Sequence, residues 1–118
     1  MILVDTSIWI DHLRQGNARL AALLEDALVV THPFVIGELA CGKLGNRAEV
    51  LSLLRVLPAA EIASHDEVLG FVERHRLYGR AIGWIDAHLL ASARISSLAL
   101  WTLDGPLHRV AGSLGIAA

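Results

Sequence analysis

Apolar positions along the chain alternate between a strand-like run and the three-and-four spacing of a helix, and each switch marks an element boundary. Met1–Val4 is a short apolar, β-leaning run that stops at Asp5-Thr6-Ser7, three residues that favour a turn or a cap, so a buried strand is expected to enter a helix there. Asn17 is placed to cap a helix reaching about Ala27, with Leu20, Leu23, Leu24 and Ala27 on one face, and Leu28–Thr31 reads as the next strand. Pro33 occupies a first helical position, and Val35, Ile36, Leu39 and Ala40 repeat with helical period until Gly45. Glu38 therefore points away from that stripe. Further helices are expected from Asn46 to Pro58, from a Ser64 cap to the Gly79–Gly83 break, from Trp84 to Ile95, and in a last short stretch through Val110. Strands are expected at Ala60–Ala63 and Leu98–Leu103. The Trp84–Ile95 segment is apolar on most sides, as an interior helix would be.

Strands separated by helices are the pattern of a parallel sheet with helical crossovers. The fold expected is a three-layer α/β/α domain spanning residues 1–118, its mostly parallel sheet holding four strands in order 3-2-1-4, with a vestigial fifth at the C-terminus as the alternative. No internal repeat, low-complexity tract or linker interrupts it.

Composition narrows the class. With 54% hydrophobic and 19% charged residues, the chain has ample material for a core, which excludes intrinsic disorder. No apolar run approaches the roughly 18 residues a bilayer demands, and Asp5 and Asp11 interrupt the N-terminal stretch where a signal peptide would be apolar. A cytoplasmic protein without a membrane partner is expected. The lone Cys41, between Ala40 and Gly42, has no intramolecular disulfide partner and reads as a small buried hydrophobe. A net charge of −2 offers no global basic field, which argues against a simple DNA-binding module. Nine of the ten cations are Arg, however, a residue suited to bidentate phosphate contact.

The candidate chemistry lies in the acids. Asp5 follows the first strand, Asp104 follows the last, and Asp86 opens the buried helix between them. The carboxyl ends of strands in an open parallel sheet face one crevice, which Glu38 can reach from the helix after the second strand. Carboxylates gathered without cations repel one another, and a bound divalent cation resolves that conflict. Oxygen-only ligands suit Mg²⁺ or Mn²⁺, whose usual company is a substrate phosphate. Each acid also has an ordinary reading: Asp5 and Asp104 as helix caps, Asp86 as a complement to the helix dipole, Glu38 as solvated surface. Thr6, Ser7 and Thr102 are candidates to donate hydrogen bonds to these carboxylates. The six His residues show no paired metal spacing, and Trp9, Trp84 and Trp101, each among aliphatics, read as core or interface anchors.

Four segments together extend the picture: Val4-Asp5-Thr6-Ser7-Ile8-Trp9-Ile10-Asp11, Glu38-Leu39-Ala40-Cys41-Gly42, Gly83-Trp84-Ile85-Asp86-Ala87 and Leu100-Trp101-Thr102-Leu103-Asp104. In these, and in their order along nearly the whole chain, the sequence resembles the PIN-domain ribonucleases of the VapC toxin type. The resemblance implies that Asp5, Glu38, Asp86 and Asp104 are metal-binding acids of an endoribonuclease dependent on Mg²⁺ or Mn²⁺. It implies the toxin half of a bacterial toxin–antitoxin pair, acting on tRNA or ribosomal RNA to halt translation. It also implies a homodimer and a small antitoxin that obstructs the acidic site and represses the shared operon.

Two departures stand out: the short C-terminus Leu114–Ala118, and Asp104-Gly105-Pro106 where relatives carry a bulky apolar residue soon after the acid, a place Leu107 can take. Arg14, Lys43, Arg47, Arg80 and Arg109 lie nearest in sequence to the site elements and are candidates to line an RNA path. Trp9 and Leu13 are expected to meet a partner chain. The rival readings are a catalytically inactive interaction module of the same fold, and a phosphoacceptor receiver domain, which the single Lys43 argues against.

Overall fold

A computed structural model describes all of residues 1–118. The chain folds as β1 (Ile2–Val4), α1 (Thr6–Gln15), α2 (Ala18–Glu25), β2 (Val29–Val30), α3 (Pro33–Cys41), α4 (Arg47–Val56), α5 (His65–His75), α6 (Trp84–Ile95), β3 (Ala99–Trp101) and α7 (Gly105–Ser113). β1 is the central strand of an all-parallel sheet in order β2-β1-β3, with Ile2 opposite Val29 and Ala99, and Leu3 opposite Val30 and Leu100. Leu3 and Val4 are fully buried, as a strand covered on both faces requires.

The expected strand at Ala60–Ala63 contracts to a single parallel bridge between Thr31 and Ala59. Pro58 has no N–H to donate and serves only as an acceptor, from Thr31 N at 2.8 Å. β2 meanwhile turns into α3 at His32-Pro33 and leaves nothing further to pair. At the other edge the expected fifth strand is also one bridge, Leu100 to Ala117, closed by Leu100 N to Ile116 O at 2.7 Å and Ala118 N to Leu100 O at 3.0 Å. The four-strand order 3-2-1-4 is thus realised as three paired strands with a one-residue bridge on each flank.

Local signals set most helix ends. Asn17 Oδ1 accepts from Leu20 N at 3.0 Å, and Ser64 and Glu67 form a reciprocal capping box at 2.9 and 3.1 Å. α3 ends at Cys41, short of Gly45, where Arg47 reaches back to the carbonyls of Ala40 and Gly42 and satisfies the helix's last acceptors. Cys41 is exposed there, contrary to the buried position expected for it. In α6, the seven consecutive residues Ala87–Ala93 are buried, which makes it the interior helix its composition implies. Trp9, expected at a partner surface, is instead 5% exposed and part of the core, while Leu13 is exposed. No helix is long and apolar enough to cross a membrane.

Candidate active site

The C-terminal ends of β1 and β3 deliver the first two acids. Asp5 continues the ladder through its N–H to Trp101 O at 2.9 Å, which fixes its backbone at the mouth of the sheet. It stands at the N-cap position of α1 but makes no side-chain cap bond. Its buried carboxylate takes two hydroxyl donors on Oδ2, Thr102 Oγ1 at 2.7 Å and Ser7 Oγ at 2.8 Å. The ordinary capping role is therefore excluded for Asp5. Thr102 also accepts from Asp104 N at 3.0 Å, so one hydroxyl ties the acid after β1 to the acid after β3. Leu103 N donates to Ser7 Oγ at 3.0 Å and closes the same knot from the β3 side.

Asp104 does cap its helix: Oδ2 accepts from Leu107 N at 3.0 Å, and Leu107 is buried in the core. Asp86 turns back over the first turn of α6 to accept from Gly83 N at 3.0 Å on Oδ2. Exposed Glu38, on the outer side of α3, accepts from Thr6 Oγ1 at 2.7 Å on Oε1, which joins α3 to the start of α1. In all four acids one oxygen is engaged in positioning, and Oδ1 of Asp5, Asp86 and Asp104 and Oε2 of Glu38 make no protein hydrogen bond. Thr6, Ser7 and Thr102 each donate a hydrogen bond to one of these carboxylates.

Three of the acids also bear on one another electrostatically. The Asp86 carboxyl is raised above its ordinary value, first by burial and then by the negative charges of Asp5 and Asp104, against a lowering contribution from the Gly83 N–H. Asp86 thus feels the charges of both Asp5 and Asp104. No three acidic, His or Cys side chains close into a ready-made cage. Hard ions such as Mg²⁺ keep several waters and take only one or two carboxylates directly, so an open set of oxygens suits them.

Around the acids, Arg14 and Lys43 line a groove beside Glu38 with Ile10 and Leu13, and Arg80 is exposed on the loop before α6. Arg47, by contrast, is occupied by the α3 carbonyls.

Two features escape a reading of the sequence. His32 is fully buried, caps α3 by accepting from Phe34 N on Nδ1 at 2.9 Å, and meets Ser92 Oγ through Nε2 at 3.0 Å. Its ring is pushed down to about 4 by burial and by His88. The signal available was its place immediately before Pro33, an N-cap position for which His is an unusual choice. Trp84, expected in a core or interface with Trp9 and Trp101, is 40% exposed, whereas those two are buried.

A model of the PIN domain matches residues 2–113 of the chain. Proteins named Ribonuclease VapC32, from two strains of Mycobacterium tuberculosis, are 48% identical over 118 residues, covering 99% of this chain and 95% of theirs. Among solved structures, FitAcB from Neisseria gonorrhoeae superposes with a TM-score of 0.63 at 24% identity, covering 95% of this chain and 94% of that one. FitAB bound to an IR36 DNA fragment also gives 0.63, at 22% identity, over 95% and 91%. The two structural likenesses speak for the fold, and with the family match and the identity to the ribonucleases they place the sequence: the chain belongs to the PIN-domain family, among its VapC-type members.

Proposed function

We propose that this chain is an endoribonuclease toxin that hydrolyses phosphodiester bonds of tRNA or ribosomal RNA, using Mg²⁺ or Mn²⁺ held by Asp5, Glu38, Asp86 and Asp104. It pairs with a small antitoxin protein and with a second copy of itself. The observation that carries the reading is the set of four acids, each tethered through one oxygen with the other left free, at the end of a parallel sheet. Ribonuclease is the activity in the name of relatives 48% identical over almost the whole chain. The hydrogen bonds to these acids come from hydroxyls and backbone N–H groups, never from Arg or Lys, so their negative charge is left for a cation.

When bound, a divalent ion in such a site lowers the pKa of water and stabilises charge on the departing oxygen. The chain supplies positioning. Thr102 and Ser7 hold Asp5 in one rotamer, the Gly83 N–H holds Asp86, and Leu107 N–H holds Asp104, so the free oxygens are oriented before substrate arrives. Thr6 fixes Glu38 at the rim. Setting the four acids aside leaves eight acids against ten cations, a formal +2, and Arg14 and Lys43 beside Glu38 are placed to meet the RNA backbone.

The test is incubation of the full chain with mixed tRNA and ribosomal RNA, with Mn²⁺ or with EDTA, followed by mapping of the new RNA ends. Discrete cleavage that EDTA stops and D5N abolishes is expected. RNA left intact with Mn²⁺ would favour the inactive interaction module, and cleavage undiminished in EDTA would reject the metal assignment.

A further inference from the structure

Of the six aromatic side chains, only Tyr78 and Trp84 are well exposed, at 60% and 40%, and both line one cavity of about 260 Å³. Its floor is apolar, formed by buried Leu77 and Ala87. That volume lies below the roughly 300–1,000 Å³ of a pocket for a drug-sized ligand, so it suits a single flat ring system. The indole is held by ring contacts with exposed His65 at 5.1 Å and with buried His88 at 4.9 Å, the latter nearly perpendicular and itself edge-on to Phe34 at 4.7 Å. On the other rim, Arg76, Gly79 and Ala81 all adopt left-handed backbone, at φ 53°, 72° and 59°. Those turns project Tyr78 and Arg80 outward, and Ala81, with a Cβ, is strained in that conformation.

Two observations connect this cavity to the acids. Gly83 lines it, and the Gly83 N–H holds the Asp86 carboxylate. The segment 76–85 contains no acid, and Arg76 and Arg80 are exposed on it, which favours a polyanion. Trp84 and Asp86 stand two residues apart in the first turn of α6, so the cavity and the acid lie at the same end of that helix.

We infer that this cavity is a base subsite, in which a nucleobase near the scissile bond stacks on Trp84 beside Tyr78 while Arg80 meets the adjoining phosphate. The inference rests on the ribonuclease reading above. Stacking on an aromatic face is tolerant of sequence, so the subsite adds affinity and sets the strand's register without touching the reacting phosphate.

The test compares the wild-type chain with W84A, W84F and Y78A. Fluorescence anisotropy reports binding to a labelled single-stranded RNA of mixed sequence, about 12 nucleotides long, in EDTA. Cleavage with Mn²⁺ is followed separately on mixed tRNA and ribosomal RNA. W84A is expected to weaken RNA binding by about tenfold or more and to raise KM by a similar factor with kcat nearly unchanged, W84F to retain most of the affinity, and Y78A to fall between. RNA is also expected to quench tryptophan emission in the wild type and far less in W84A, since Trp9 and Trp101 are buried. If W84A folds poorly, Y78A carries the test, its side chain being mostly in solvent. Binding and KM unchanged in W84A and Y78A, or a loss confined to kcat, would overturn the subsite while a cleaving wild type leaves the ribonuclease reading intact. A wild type that neither binds nor cleaves RNA would overturn both.

Discussion

Acidification should destabilise this fold through one buried ring. His32 Nδ1 accepts the Phe34 N–H, so the proton of the neutral ring sits on Nε2 facing Ser92, an assignment made from the hydrogen-bond partners. Protonating Nδ1 would set two donors against each other, remove the α3 cap and place a charge in the core beside His88. The folded ring titrates at about 4, against 6.5 for the ordinary group. The unfolded chain therefore takes up a proton below pH 6.5 that the folded chain refuses until about pH 4. The contribution of the neutral ring to stability is fully present only well above pH 6.5 and falls between those values, with a slope approaching 1.4 kcal/mol per pH unit and a total of at most about 3 kcal/mol.

Urea denaturation at several pH values between 7.5 and 4, on the wild type and on H32N, measures the effect. Asn also caps helices but does not titrate, so H32N should be less stable at pH 7.5 through lost packing yet show a shallower pH dependence. The difference between the two curves isolates His32, because the carboxylates, and His75 and His88, whose rings are also lowered, are common to both. Parallel curves from pH 6.5 to 4 would refute the reasoning.

Other expectations follow from single contacts. D5N should lower Mn²⁺-dependent cleavage about 100-fold or more, while Asn still accepts from Ser7 and Thr102 and circular dichroism remains that of the wild type. T102V removes the hydroxyl shared by Asp5 and Asp104 N; a loss of about 1–3 kcal/mol in urea denaturation is expected, together with reduced cleavage. L90A, at a fully buried position of α6, should cost about 2–5 kcal/mol by the same measurement. N17A removes the α2 cap and should cost about 1 kcal/mol, leaving cleavage unchanged.

Features set by neighbouring residues were legible in the sequence. Gly83 and the apolar face of Trp84–Ile95 define α6 to the residue, and Asn17 and Ser64 mark the starts of α2 and α5 as caps do anywhere. The acids at strand ends could be located because each follows an apolar run or opens a helix. What the sequence left open depends on tertiary partners. Residues 60–63 carry a strand-like composition, but pairing requires a neighbour, and β2 offers only Thr31 before it becomes α3. Trp9 and Trp84 both lie among aliphatics, yet α1 turns one inward and the loop before α6 leaves the other in solvent. The choice between capping and free carboxylate was likewise hidden: Asp104 caps and Asp5 does not, because Thr102 just after β3 and Ser7 in the first turn of α1 both reach Asp5.

The proposed mechanism requires these acids to form one cation site. Isothermal titration of Mn²⁺ into the metal-stripped full chain, repeated with D5N, tests it most directly. Saturable heat is expected in the wild type and should largely disappear in D5N although the variant remains folded. Equal heats in both proteins, or none in the wild type, would contradict it.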